Sequence, residues 1–265
     1  MDSLTRKVQQ QFGDHAQNYV DSTVHRSGYS LDRLLDLIDI QPGQRALDVA
    51  TGGGHVALEM AKRGAHTLVS DLTPRMLNAA RPYIDEQLRD QTAVGKVAYA
   101  QVNALALPIA ANTLDRVTCR IAAHHFPDAE RFVKEAARTV KPGGIVGVVD
   151  QIGPDDRPSA EFVNAFEQLR DPSHVWEHDR PTWESFFDLA GLTITHVEIC
   201  RNRLEFGWWV RMQNCTPDTI TRLEVMLRQM PGGAAAWLQP ELVPVDEPGA
   251  LYFSLWQLIL IGVKR

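Results

Sequence analysis

The 265-residue sequence predicts an α/β fold, a mostly parallel sheet with helices on both faces. Three observations carry that reading. From residue 45 onward, strand-length apolar runs alternate with amphipathic runs of helix length, the rhythm of a parallel sheet joined by helical crossovers. The stretch Leu47-Asp48-Val49-Ala50-Thr51-Gly52-Gly53-Gly54-His55 reads as a buried strand, a glycine-rich turn and the start of a helix. A final apolar run, Leu251 to Val263, is too short and too interrupted to span a bilayer and reads as one more buried strand.

In chain order, the first forty residues are helical. Val8, Phe12, Ala16, Tyr19 and Val20 recur at helical spacing, and Leu31, Leu34, Leu35 and Ile38 do so again. Pro42 and Gly43 break the chain before the sheet begins. Strand patterns follow at 45–50, 67–71, 97–101, 115–119 and 145–150, with helical patterns at 55–63, 74–88 and 128–140 between them. Residues 151–158 form a loop, and helices near 159–169 and 181–190 come next. A strand at 192–206 leads into Gly207-Trp208-Trp209, and a helix near 217–230 and an irregular stretch at 231–249 separate it from the last strand, 251–263. The insertion 207–249 is long for a simple connection. Its size suits a lid, a substrate wall or a subunit contact, the last of which would make the protein a homodimer. The whole chain reads as one domain: an N-terminal helical cover at 1–44, a ligand-binding core at 45–150, and a substrate-side portion at 151–265.

Bulk properties narrow the function classes. A net charge of -6 without a basic run argues against nucleic acid as partner. Hydrophobic and charged fractions of 44% and 23% suit an ordinary globular protein. Three cysteines without a CxxC pair argue against a disulfide framework or a structural zinc site, and no metal is expected. The polar segment Met1 to Gln11 is no signal peptide, so a reducing cytoplasm is the expected location.

The glycine turn points to a nucleotide-type ligand. Gly52 and Gly54 leave no Cβ to hold a ligand off the backbone, and the new helix offers unpaired N–H groups. Gly52-x-Gly54-x-x-Ala57 even meets the relaxed dinucleotide fingerprint. The acidic residues decide otherwise. Asp48 lies at the strand end, where a pyrophosphate would be repelled and a cationic ligand favoured. Asp71 ends the next strand, where a carboxylate can accept from both ribose hydroxyls. Thr73 caps the helix that opens at Pro74. Asn103-Ala104 follows the third strand and could meet an adenine edge.

Four ordered blocks resemble the class I S-adenosylmethionine-dependent methyltransferases. The first is Leu47 to Gly54, and the second is Asp71-Leu72-Thr73-Pro74-Arg75-Met76-Leu77. The third is Asn103-Ala104-Leu105-Ala106-Leu107-Pro108, closed by Leu114-Asp115. The fourth runs from Cys119 to Phe126 and on through Glu135, Arg138 and Lys141-Pro142-Gly143-Gly144. Together they span roughly residues 45–150 and are closest to the ubiquinone/menaquinone-biosynthesis type. Segments Ala122 to Phe126 and Leu169 to Val175 extend a weaker likeness over most of the chain. The pattern departs at Ala50, where the family has glycine, and at Asn103, where it has aspartate.

The resemblance implies a Rossmann-like seven-stranded sheet with an antiparallel last strand, an N-terminal helical lid, and S-adenosyl-L-methionine as cofactor. It implies that Ala50, Gly52 and Gly54 pack on the methionine end, with Asp48 near its ammonium. Asp71 takes the ribose, Leu72 and Leu105 wall the adenine, and Asn103 with Ala104 reads its edge. Arg120 ends the fourth strand beside the sulfonium, and Tyr19 belongs to the lid. Arg120 could instead stabilise Asp150 or reach an anionic substrate.

Methyl transfer is an in-line displacement that needs positioning and exclusion of water. A general base is needed only for a weakly acidic nucleophile. The candidates are His25, His124, His125, Asp150, His174 and His178, of which His125, His174 and Asp150 form the selected catalytic set. Trp208, Trp209, Trp237, Tyr252, Phe253 and Trp256 suggest a small, partly apolar methyl acceptor. Two alternatives stand beside this reading. One is a protein that binds S-adenosylmethionine without methylating. The other is an NAD(P)-dependent oxidoreductase, which lacks a Tyr-x-x-x-Lys element here and would place Asp48 against phosphate.

Overall fold

The computed structural model describes residues 3–14, 16–21, 28–92, 94–241 and 250–265. Strands β1 (Arg45–Val49), β2 (His66–Asp71), β3 (Val97–Gln101), β4 (Leu114–Arg120), β5 (Val140–Ile152), β6 (Leu192–Glu205) and β7 (Tyr252–Lys264) form one seven-stranded sheet in the order β3-β2-β1-β4-β5-β7-β6. Strands β1 to β5 pair parallel, and β7 runs antiparallel between β5 and β6. This is the sheet that the resemblance implied. The order of strand addition reverses between β1 and β4, which run parallel, and this is the position at which open α/β sheets place their ligands.

Alternation along the strands builds two apolar layers. Ala46, Val149, Ile259 and Ile261 face α3 (Tyr29–Ile38) and α4 (His55–Lys62) through Leu34, Leu35, Ile38, Val56 and Met60. Leu47, Val49, Val117, Leu258 and Leu260 face α6 (Ala129–Thr139) and α8 (Arg180–Leu189) through Phe132, Val133, Trp183 and Phe187. Burial on both faces removes the apolar–polar alternation, which is why β7 reads as a mainly apolar run. Helix α5 (Pro74–Leu88) joins α4 over β2 through Leu77, Ala80 and Ile84. Edge strand β6 is mostly half-buried to exposed and carries a register shift between Ile194 and His196, a device that blunts an open edge.

Two sequence expectations meet a different local structure. The 192–206 strand ends at Glu205, whose carboxylate accepts from the N–H groups of Gly207 and Trp208 and opens α9 (Phe206–Arg211). The irregular 231–249 stretch contains α11 (Gly232–Leu238), a helix of mostly small residues without a side-chain cap and so without a strong sequence signal. With α10 (Pro217–Arg228), these helices pack on α7 (Arg157–Arg170) around Phe166, Trp209, Leu223, Leu238 and Phe253. The insertion is therefore a second small core at the edge of the sheet. Asp156, Asp179 and Thr216 cap α7, α8 and α10, and each of these helices has proline in its first turn.

The N-terminal helices divide in role. Helix α3 is core, with Leu34, Leu35 and Ile38 fully buried. Helices α1 (Ser3–Asp14) and α2 (Ala16–Asp21) alone lie over the carboxyl ends of the strands, against α5. Among the described residues, no helix is long and apolar enough to cross a membrane.

Helix α3 reaches the sheet because Gly147 has no side chain. A Cβ there would lie 2.8 Å from Leu34 Cδ1 and 2.9 Å from Ile38 Cγ2. Gly147→Val is expected to destabilise the fold by about 1–3 kcal/mol through overpacking. A urea midpoint equal to that of the wild type would refute the contact.

Candidate functional site

The carboxyl ends of β1, β2 and β4 open into a cavity of about 1200 Å³, counting the part open to solvent. Asp48, near the end of β1, is only 2% exposed. Its Oδ1 accepts from Thr118 Oγ1 at 2.8 Å and its Oδ2 from Thr51 Oγ1 at 2.6 Å. Burial pushes its carboxyl up to about 6, while the two hydroxyls and the Arg120 charge pull the other way. Asp71 ends β2, and burial likewise pushes it up to about 6. Its Oδ1 accepts from Thr73 N–H at 2.8 Å and its Oδ2 from Gly52 N–H at 3.2 Å. Thr73 does occupy the N-cap of α5, but its side chain makes no cap hydrogen bond; Asp71 binds that backbone instead.

The turn between β1 and α4 is left-handed at Ala50 (φ 52°), Gly52 (φ 57°) and Gly54 (φ 84°). Gly52 lies in the cavity wall. Gly54 sits outside it as the N-cap of α4, where a Cβ would be 2.7 Å from Ile84 Cδ1; helix packing, as well as φ, demands glycine there. Gly53 was not singled out from sequence, yet a Cβ on it would lie 2.6 Å from the Tyr19 carbonyl oxygen and 2.7 Å from His55 Nε2. That close approach seats α2 on the turn, and His55 Nε2 lies 3.1 Å from the same carbonyl.

The structure brings Asp48, Ala50, Gly52, Asp71, Leu72, Asn103, Ala104, Arg120, Tyr19 and His125 around this one cavity. Asn103 Oδ1 already accepts from Leu105 N–H at 2.9 Å, which closes a local turn and leaves the amide nitrogen for a ligand. Arg120 does not pair with Asp150. It faces Asp48 and reaches Ser30 Oγ at 3.4 Å, and burial lowers it to about 10. Asp150 is instead bound to His124.

A second cavity, of about 710 Å³, shares Phe12, Tyr19, Ile121 and His125 with the first. Its walls include His124, Glu167, Arg170, His174, Trp208, Trp209 and Gln213. His124 Nδ1 lies 2.7 Å from Asp150 Oδ1. Burial alone would lower His124, but the Asp150 carboxylate outweighs it and holds the imidazole above its usual value. His125 Nδ1 lies 3.1 Å from the Ser173 carbonyl oxygen, so Nδ1 carries the proton. Burial, then the neighbouring His124, pushes His125 down to about 4. His174 is neutral for the same first reason. His178 packs edge-on against Trp183 and Phe186, away from both cavities, and His25 lies outside the described residues.

Of the six aromatic residues read as an acceptor wall, Trp208 and Trp209 line the second cavity. Phe253 is buried against Phe166 and Trp209, Trp237 pairs with Trp256, and Tyr252 stacks under Arg203.

Two further residues emerge from the geometry. Gln213 Nε2 donates to Tyr19 Oη at 3.1 Å and to Asp171 Oδ2 at 2.8 Å, while its Oε1 accepts from Gln11 Nε2 at 2.9 Å. It thereby ties α1 and α2 to the insertion. Burial pushes the Tyr19 phenol up to about 12. Ile121 lies between the cavities at φ 54°, costly for a β-branched residue. No local sequence pattern signals either role.

Residues 47–148 match the family model described as a methyltransferase domain. The chain is 28% identical over 254 residues to the uncharacterized methyltransferase YcgJ of Bacillus subtilis, covering 96% of this chain and 98% of that protein. The YcgJ crystal structure superposes with a TM-score of 0.82 at 28% identity, over 89% of this chain and 98% of that one. The ubiquinone/menaquinone biosynthesis C-methyltransferase UbiE of Cereibacter sphaeroides is 32% identical over 152 residues, 56% of this chain and 53% of that protein. At 16% identity, phosphoethanolamine N-methyltransferase 2 of Haemonchus contortus, solved in complex with S-adenosyl-L-methionine, shares the fold with a TM-score of 0.65, over 100% of this chain and 60% of that one.

Gly53→Ala tests the seating of α2. A methyl group 2.6 Å from the Tyr19 carbonyl must push the helix away. The expected result is several-fold faster tryptic cleavage within the first 21 residues, with the urea midpoint of the sheet nearly unchanged. Unchanged cleavage would show that the helix does not rest on this turn.

Proposed function

We propose, for a chain that carries a methyltransferase domain within the class I methyltransferase fold, that it transfers the methyl group of S-adenosyl-L-methionine to a small, partly apolar organic acceptor. The observation that carries the reading is the pair of adjoining cavities, one walled by Asp48 and Asp71 and the other by Trp208 and Trp209, with His125 and Ile121 between them. Two buried carboxylates suit a ligand with an ammonium, a ribose diol and net positive charge, and they disfavour a pyrophosphate. The methionine end would rest on Ala50 and Gly52, with Asp48 toward its ammonium and Arg120 toward its carboxylate. The ribose would take Asp71, and the adenine would lie by Leu72, Asn103, Ala104 and Leu105.

When bound, the sulfonium supplies an electrophilic methyl. The protein's work is to aim the acceptor and keep water out. Phe12 and Tyr19 close the junction from above, their rings 5.5 Å apart, and Phe12 meets His125 edge-on at 4.8 Å. With Nδ1–H held by Ser173, His125 offers Nε2 to a proton on the acceptor. Asp150 orients His124 rather than touching the acceptor, and His174 sits deeper in the acceptor wall.

Isothermal titration tests the reading. S-Adenosylmethionine and S-adenosylhomocysteine are expected to bind the wild type, and Asp71→Asn to weaken both at least tenfold, about 1.4 kcal/mol. Binding of NADH or NADPH in place of the methyl donor would overturn the assignment and favour the oxidoreductase alternative. Product formation with an acceptor separates turnover from binding alone.

Affinity should also depend on pH. A cationic ligand favours ionised Asp48 and Asp71, whose free-state carboxyls titrate at about 6. Binding is expected to be constant above that pH. Below it, binding should weaken by up to about tenfold per pH unit for each coupled carboxyl. Asp48→Asn should flatten the slope, and a wild-type affinity constant from pH 7 to about 5 would contradict the role of both carboxylates.

A further inference from the structure

Behind the second cavity, where α7 meets the loop after it, Glu167, His174 and Glu177 converge. One oxygen of each carboxylate and one ring nitrogen of His174 lie within 4.8 Å of one another. All three are buried, at 2%, 3% and 1% exposure. Oε1 of Glu167 and Oε1 of Glu177 are sealed from solvent without a hydrogen-bond partner among the described residues. Arg170 Nη1 stands 3.9 Å from the other oxygen of Glu167, at the limit of an ion pair. Asp150 adds a third buried carboxylate; its Oδ1 is taken by His124 and its Oδ2 also lacks a partner. Carboxylates this close in a dry interior do not both stay charged unless a cation joins them or one takes a proton.

The hydrogen bonds of Asn164 fix the imidazole's tautomer. Asn164 Oδ1 accepts from Glu177 N–H at 2.7 Å, and Asn164 Nδ2 donates to the Ala160 carbonyl at 2.9 Å, which settles the amide's direction. His174 Nε2, 2.8 Å from the same Oδ1, must therefore carry the proton, leaving the Nδ1 lone pair for a cation. A hydrogen bond on the second nitrogen is the usual support of a metal-binding histidine.

We propose that Glu167, His174 and Glu177 bind a divalent first-row transition ion of the zinc or manganese type. An imidazole with two carboxylates is a mixed nitrogen and oxygen set that suits those ions. Metal–ligand bonds of about 2.0–2.2 Å separate ligand atoms by roughly 3–4 Å, so the widest pair needs to close by up to about 1–2 Å. The ion has a route in, since Glu167 and His174 line the second cavity and Glu177 a third cavity on the far side. The site lies outside the donor cavity and does not depend on the methyl-transfer reading.

The test is equilibrium dialysis of chelator-treated, full-length protein against zinc, manganese and magnesium chlorides, read by elemental analysis and by thermal midpoint. One equivalent of zinc or manganese is expected, with a rise in midpoint, and at least tenfold weaker uptake by Glu177→Gln. Glu167→Gln serves as second variant should the first fail to fold by circular dichroism. No saturable uptake by the folded wild type overturns the proposal, as does equal uptake by wild type and folded variants. A Glu177→Gln protein that gains stability while the wild type takes up no ion would show the two carboxyls sharing a proton instead.

Discussion

Asp48 and Asp71 are buried at the ends of neighbouring strands, and removing a carboxylate from water costs several kcal/mol unless other groups take over its solvation. The local architecture supplies those groups. Thr118 comes from β4, Thr51 from the turn, Thr73 from the start of α5, and Gly52 from the backbone between them. Thr51 N–H binds the Ser70 carbonyl at 2.9 Å, and Ser70 Oγ returns to the Asp48 carbonyl at 2.9 Å. Moving one strand relative to another would strand a charge, so the register of β1, β2 and β4 at this end is set by polar bonds as well as by apolar packing. The hydrogen bonds stop short of restoring ordinary acidity, and that shortfall is what a cationic ligand would make good.

The sheet was legible because its signals are local. Strand runs, the glycine turn and helix caps such as Asp156 before Pro158 all lie within a few residues of one another. Asp48 and Asp71 were legible for the same reason, each at the end of an apolar run. What escaped depends on contacts between distant segments. Gln213 meets Gln11 across 202 positions, and its sequence neighbourhood says nothing of it. Gly53 looked like one more turn glycine until α2 was seen resting on it. Arg120 took Asp48 and Ser30 as neighbours, while Asp150, which sequence reasoning offered to it, faced His124 on the next segment. Glu167 and Glu177 lie ten residues apart around a helix end, where nothing in spacing distinguishes a buried pair from a solvated one.

The carboxyl-terminal half answers a problem of edges. Strand β7 is apolar on both faces and needs a neighbour on each side, so β6 must run back along it as an edge. Glu205 at the end of β6 already lies opposite Tyr252 at the start of β7, so a tight turn could join them, and α9 to α11 are an addition that covers the flank of α7. The insertion is thus not required to close the sheet, and its aromatic residues divide between that small core and the second cavity.

The hydrogen bonds of Gln213 to Gln11 and Tyr19 fasten the N-terminal helices to the insertion, and Phe12 and Tyr19 of those helices line both cavities. The two compartments therefore share part of one cover. A displacement of Phe12 and Tyr19 would uncover both at once, so exchange on one side would be linked to occupancy on the other. Contacts that brace the cover from the second cavity would then also lengthen residence in the first, a coupling carried by shared residues rather than by direct touch between ligands. A chain organised in this way would fill and empty both cavities on the clock of one cover.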